Sequence, residues 1–290
     1  MSNLLINPRE TDAGEYIRVS PETAGWPKLH FCARRMCRGD IWEAATGDFE
    51  YGLVVLGGIC SVQSSRGNWE CIGRRPNVFS GMPHALYLPS QTTFSVRARS
   101  AELDLACGWC ESSGIHPPQM VSPKSVAIEI RGGGNATRQI NSIFPAGFDS
   151  HRLVAVEVYT PGGNWSSYPP HKHDEHRLDQ NGNLVEADLE EIYFYKFNKP
   201  EGFAIQRVYT ADRRLDETIV ARNNDVVLVP EGYHPVVAAH GYNAYYLNFL
   251  AGSAQSLANS DDPAHAWIKD TWKDKDPRVP LVTMDMEKVK

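Results

Sequence analysis

The sequence has no uninterrupted apolar run approaching the roughly 18 residues that a membrane-spanning helix requires, so no membrane partner is expected. Its start, from Met1 to Tyr16, holds no apolar stretch of the signal-peptide kind, and a cytoplasmic protein is the expectation. Long basic runs are also missing, and a formal net charge of −6 argues against nucleic acid as partner. Cysteine is absent from the second half, all six lying between Cys32 and Cys110. In a chain of 290 residues without an export signal they do not read as a disulfide framework. Cys107-Gly108-Trp109-Cys110 has zinc or redox spacing, but no second pair completes a site, and ordinary buried thiols are the simpler reading. The run Gly132-Gly133-Gly134-Asn135 lacks the lysine-serine ending and following helix of a phosphate-cradling loop; it is expected to be a flexible turn.

What is present is an ordinary globular composition, 42% hydrophobic and 22% charged, enough for one large domain or two of common size. Short β-rich runs dominate the first half: Leu53 to Leu56, Ile59 to Gln63, Ala85 to Leu88 and Thr92 to Arg97. The second half repeats the rhythm from Leu153 to Thr160, Glu191 to Phe197, Ala204 to Tyr209, Val226 to Val229 and Ala244 to Leu250. Such spacing with few helical patterns indicates an all-β sandwich or barrel. The halves also echo each other, since Met82 to Pro89 and Asp225 to Pro230 are both strands ending on proline. A duplicated barrel is expected, divided within Ser112 to Pro123 into residues 1–118 and 119–290. One helix is expected near the end, with Asp262 as cap, Pro263 in first position and Ala264 to Trp272 as body. The polar tail after Lys273 reads as a surface arm.

The chemistry concentrates in Pro169-Pro170-His171-Lys172-His173-Asp174. On a strand, residues i and i+2 share a face, so His171 and His173 aim two imidazoles at one point while Lys172 faces away. Glu190 and Glu191 open the strand Ile192-Tyr193-Phe194-Tyr195, and His234 follows the turn Pro230-Glu231-Gly232. Three histidines and a carboxylate make a mixed nitrogen and oxygen site for a divalent first-row metal. Parity favours Glu191, because Glu191, Tyr193 and Tyr195 share one face. Asp174, Glu175 and Asp179 read as solvated acids; His84, His151 and His240 read as structural, and His176 sits on a loop.

Glycine-rich turns, His-x-His on a strand, a later glutamate and a Pro-x-Gly turn before a histidine resemble the cupin superfamily of small β-barrels. A closer resemblance covers essentially the whole chain. Pro161-Gly162-Gly163-Asn164-Trp165-Ser166-Ser167-Tyr168-Pro169-Pro170-His171-Lys172-His173-Asp174 is similar to the signature of the 5-deoxy-glucuronate isomerases of myo-inositol catabolism. So are Glu190 to Tyr195, Gln206-Arg207-Val208-Tyr209-Thr210, Val229 to Val236 and Tyr245-Tyr246-Leu247-Asn248. The resemblance implies a bicupin, two jelly-roll barrels in tandem, with metal ligands kept in the second copy only. It implies an aldose–ketose isomerase that converts 5-deoxy-D-glucuronate to 5-dehydro-2-deoxy-D-gluconate through a metal-stabilised enediolate. The related uronate isomerases of pectin breakdown carry a similar run whose glutamate binds metal, which again selects Glu191. The implied ligands are His171, His173, Glu191 and His234, with zinc as first choice and Mn, Fe, Co or Ni as alternatives.

For the proton transfer, Glu191, Tyr193 and Tyr195 are the candidates, a phenol being a poor base at its ordinary pKa near ~10. For the substrate carboxylate, Arg207 is the first candidate because it lies on a motif-bearing strand; Arg138 and Lys172 follow. The first half is expected to shape the second barrel and to offer a surface for a homo-oligomer. Two other classes stay open at this point: an iron-dependent cupin oxygenase using the same ligands, and a cupin that binds a sugar without turning it over.

Overall fold

The computed structural model describes residues 4–284 and is β-rich throughout. It divides into two compact units. Among the described residues, one comprises 8–127, 147–153 and 282–284, and the other comprises 4–7, 128–146 and 154–281. The boundary falls later than 118/119 because Gln119–Val121 still adds a strand to the first unit, pairing with His84–Leu88. The chain start crosses the other way, since Leu5–Ile6 pairs with Val226–Val229 at the edge of the second unit's sheet. Residues 147–153 return to the first unit. There the buried Glu50 carboxylate accepts from the backbone N–H groups of His151, Arg152 and Leu153 at 2.7–2.8 Å and from Tyr87 Oη at 2.7 Å.

The first unit packs a six-stranded sheet against a four-stranded one made of Ile41–Ala45, Thr93–Ala98, Cys60–Ser64 and Gly67–Ile72. Leu53, Val55, Leu86 and Leu105 from the larger sheet meet Val62, Phe94 and Val96 from the smaller in one apolar core. Alternation along each strand supplies this inner face, as in a jelly roll. Cys32, Cys60, Cys107 and Cys110 are buried free thiols, whereas Cys37 and Cys71 are exposed.

The second unit repeats the plan with an eight-stranded and a four-stranded sheet. Its long central strand, Leu184–Phe197, lies between Val226–Val229 and Ala244–Gly252; Val154–Thr160 and Arg138–Phe144 continue the sheet. The smaller sheet runs Trp165–Ser166, Val236–Ala238, Phe203–Tyr209, Asp216–Arg222. The architecture is a bicupin. Near the C-terminus the helix is a short 3-10 stretch, Ala266–Thr271, and Asp262 caps the preceding turn instead, accepting from Ala264 N at 2.9 Å. Among the described residues no helix is long and apolar enough to cross a membrane.

Candidate metal centre

The inward face of the second barrel can be read from register. Glu191 pairs across with Leu250, Tyr193 with Asn248 and Tyr195 with Tyr246; Asn248 pairs in turn with Val156 and Tyr246 with Val158. Because side chains alternate, Glu191, Tyr193, Asn248, Tyr246, Val156 and Val158 all point one way. They line a cavity of about 100 Å³, whose wall also holds Arg138, Ser167, His171 and His173.

Two structural devices bring the distant ligands together. The stretch between His173 and Glu191 is a hairpin: Asp174–Leu178 folds back on the first half of Leu184–Phe197, and Leu189 N donates to His173 O at 2.9 Å. The interval in sequence thus becomes an adjacency in space. His234 arrives on the turn after Val226–Val229, where Gly232 has φ +82° and a Cβ would meet Tyr209 O at 2.5 Å. Only glycine fits both constraints. Gly232 N donates to Asp174 Oδ2 at 2.7 Å, so Asp174 pins this turn and is half-buried, not solvated.

Within the site, ligand atoms of His173, Glu191 and His234 all lie within 4.8 Å of one another, and all three residues are buried. The second nitrogen of each imidazole is already committed. His173 Nδ1 donates to Leu189 O at 3.1 Å and His234 Nδ1 to Gly232 O at 2.9 Å. Both Nε2 atoms therefore face Glu191 Oε2, at 3.0 Å from His173 and 3.3 Å from His234. His234 Nε2 is buried and makes no hydrogen bond, an orphaned donor-set atom of the kind a cation satisfies. His171, on the short strand pairing with Ser260–Asp261, has its ring 4.8 Å from that of His234 and 6.4 Å from that of His173. Imidazole nitrogens with one carboxylate, backed by carbonyl acceptors, fit a divalent first-row metal. Among the described residues no comparable group occurs in the first unit.

Electrostatics keep most of these rings ready to ligate. Burial holds His234 down to about 4 against the upward pull of Glu191, so it is neutral at pH 7. Burial, reinforced by His234, His173 and Arg138, likewise holds His171 well below the ordinary histidine value. His173 differs: burial opposes its charge, but the hydrogen bond and charge of Glu191 prevail and raise it. Burial, then the charge of Glu191, pushes the Tyr193 phenol well above its usual value.

The structure separates the remaining candidates. Tyr193 lines the cavity and shares a 2.9 Å hydrogen bond with Ser167 Oγ. Tyr195 lies deeper, its hydroxyl donating to Gln206 Oε1 at 2.8 Å, and is not among the cavity's walls. Arg207 lies on the opposite, outward face of its strand. Gln206 is fully buried, whereas the Arg207 guanidinium is half-exposed, forked onto Asp216 at 2.7 Å twice and stacked on Tyr209. Lys172 is bound to Asp174 and, at 3.1 Å, to buried Glu186. Neither Arg207 nor Lys172 lines the cavity. Arg138 does, and it is 4% exposed with only Nη1 engaged, donating to Tyr168 O at 3.0 Å and Ala136 O at 3.3 Å. Among the described residues no carboxylate forms an ion pair with it, Glu129 acting on it only at longer range. Ser167, Tyr246 and Asn248 were not singled out from the sequence, although the parity of Tyr246 and Asn248 with Glu191 could have found them.

The KduI/IolB family matches residues 4–268 of this chain. The chain belongs to that family. Among KduI/IolB relatives, the 5-deoxy-glucuronate isomerase of Geobacillus thermodenitrificans (strain NG80-2) is 41% identical over 273 residues, covering 93% of this chain and 97% of that protein. The 5-deoxy-glucuronate isomerase of Halalkalibacterium halodurans is 36% identical, over 92% of this chain and 99% of that one. The crystal structure of an IolB-like protein from Salmonella typhimurium LT2 superposes with a TM-score of 0.87 at 37% identity, covering 92% and 99% of the two chains. Oxalate decarboxylase shares the bicupin fold at a TM-score of 0.65 and 13% identity, covering 90% of this chain and 80% of that one.

Proposed function

We propose that this chain is a metal-dependent aldose–ketose isomerase that converts 5-deoxy-D-glucuronate to 5-dehydro-2-deoxy-D-gluconate. The observation that carries the proposal is the cluster of His173, Glu191 and His234, of which His173 and Glu191 line a cavity whose wall also holds the buried guanidinium of Arg138. His171, beside His234, is assigned as the third imidazole ligand. Zinc is the first choice of metal, and the donor set also suits Mn, Fe, Co or Ni. When bound, such a cation supplies Lewis acidity at the sugar's carbonyl and neighbouring hydroxyl oxygens.

The reaction moves one hydrogen from C2 to C1 and one proton from O2 to O1, with no net change in composition. Glu191 Oε2 faces the imidazoles, and Oε1 has no hydrogen bond among the described residues. Glu191 Oε1 is therefore placed to take the C2 proton and return it to C1, a general acid–base role worth about 100- to 10,000-fold. Tyr193, tied to Ser167, is positioned to donate to a sugar oxygen. Tyr195 supports the Tyr193 and Tyr246 rings rather than touching substrate, their centroids lying 6.2 and 5.6 Å away. Arg138 receives the C6 carboxylate, being planar, charged and desolvated. Burial lowers its pKa only to about 10, so the charge persists at pH 7.

The test is conversion of 5-deoxy-D-glucuronate in D2O under nitrogen, with the protein loaded with zinc. Product carrying deuterium at C1 is expected, because a carboxylate base exchanges its proton with solvent. A requirement for dioxygen would favour an oxygenase, and binding without conversion would favour a sugar-binding cupin; either outcome contradicts the proposal.

A further inference from the structure

The glycine run and the C-terminal tail, neither of which serves the metal cluster, meet in the structure. Gly133 has no room for a side chain, since a Cβ there would lie 2.6 Å from Trp272 Cα. Gly134 N donates to Asp274 O at 2.7 Å, Lys275 Nζ donates to Gly132 O, and Asp276 N donates to Thr137 Oγ1 at 3.1 Å. Asn164 Nδ2 donates to Asp276 Oδ2 at 2.9 Å, and Arg278 Nη1 donates to Gly162 O at 2.9 Å. The run is thus a cradle, and the tail is strapped into it rather than free as a surface arm.

Strapping places Trp272 and Lys269 in the wall of a second chamber of about 340 Å³. That chamber adjoins the cavity of the metal cluster, sharing Arg131, Arg138, His171 and Asn259 with it as wall residues. Trp272 Nε1 is buried and meets no acceptor among the described residues. Such a buried N–H is a donor that an incoming oxygen would satisfy. The indole also faces the Arg138 guanidinium, 6.0 Å from ring centroid to Cζ. Of the cations in the chamber, Arg131 is paired with Glu129 at 2.7 Å and Lys269 with Asp261, while among the described residues Arg138 forms no ion pair of its own and feels Glu129 only at longer range. Among the described residues the Arg138 guanidinium is thus without an ion-pair partner and the indole donor without an acceptor. A carboxylate with two oxygens answers both.

We propose that residues 266–278 complete a carboxylate subsite of the substrate cleft, with Trp272 Nε1–H on one oxygen, Arg138 on the other and Lys269 at the rim. The proposal rests on the isomerase reading and extends it to a segment most of which lies beyond the family match, which ends at residue 268. Trp272 both touches the carboxylate and orients Arg138 through its ring.

The experiment compares steady-state kinetics, zinc content, Tm and calorimetric binding of D-glucuronate for the parent, Trp272→Ala, Trp272→Phe, Gly133→Ala and Lys269→Ala. Trp272→Ala should raise KM and weaken D-glucuronate binding by about tenfold or more, the loss of one good hydrogen bond to a charged group. Its kcat should change much less, with one zinc and an unchanged Tm. Trp272→Phe, which keeps the ring but not the N–H, should recover part of the loss. Gly133→Ala should reproduce the KM effect by displacing the tail, and Lys269→Ala should give a smaller rise. KM and binding within about twofold of the parent across the set would overturn the subsite, as would a Trp272→Ala effect confined to kcat. Should Trp272→Ala lose metal or fold, Gly133→Ala and Lys269→Ala decide by the same criterion. A parent that binds D-glucuronate but does not turn over the uronate would sink the isomerase reading alone, and the binding series then decides the subsite. A parent that does neither would sink both.

Discussion

His234→Ala is expected to strip the metal from the purified protein and to lower kcat by about 1,000-fold or more, a loss of about 4 kcal/mol of transition-state stabilisation. The size follows from where the ring sits. His234 is fully buried, its Nδ1 is fixed on Gly232 O, and its Nε2 has no other hydrogen-bonding role. Alanine therefore deletes the imidazole that faces Glu191 and leaves Gly232 O without its donor. Elemental analysis separates this from general damage, since the zinc-free parent should melt near the variant's Tm. A variant that keeps one zinc and more than about a tenth of the parent's kcat would show that His234 is a structural histidine.

Arg138→Ala is expected to lower kcat/KM for the uronate by roughly 100- to 1,000-fold, whereas Arg207→Ala should stay within about threefold of the parent. The two guanidiniums differ in what already holds them. Arg207 is forked onto Asp216 on the outer face of its sheet and is 43% exposed as a side chain, so the pair is screened by water. Arg138 is desolvated, lines the cavity and, among the described residues, forms no ion pair. A charge left unanswered in a buried wall is costly unless a ligand supplies the counter-charge. Kinetics on both variants with the same substrate check the contrast. A large effect at Arg207 with none at Arg138 would place the carboxylate on the other side of the barrel wall.

Glu191, on the face of Tyr193, could be read from the two-residue repeat alone, whereas the strand expected to carry both His171 and His173 ends at Lys172, and His234 comes on a turn. The spacing from His173 to Glu191 was harder to read. The chain makes a hairpin there, turning at Asp179–Asn183 with Gly182 at φ +81°, and Asn181-Gly182 is the turn signal that the sequence reading passed over. Arg207 shows the limit of parity. Phe203–Tyr209 alternates cleanly, but the sequence does not say which alternate faces inward until Gln206 is seen against Tyr195. The domain boundary moved because three residues, Gln119–Val121, pair with a strand more than thirty positions earlier. Such pairing is set by tertiary contact rather than local propensity. The tail carries no periodicity, and its ordering depends on turns at Gly132–Gly134 and Gly162 that are remote in sequence.

The central claim is that one metal, held in the second barrel, supports isomerisation. It is tested most directly by removing metal with a chelator and titrating zinc back while following turnover of 5-deoxy-D-glucuronate anaerobically. Activity that vanishes on chelation and returns linearly to a break at one equivalent per chain is the result expected. Turnover that survives complete metal removal, or a break at two equivalents, would contradict it.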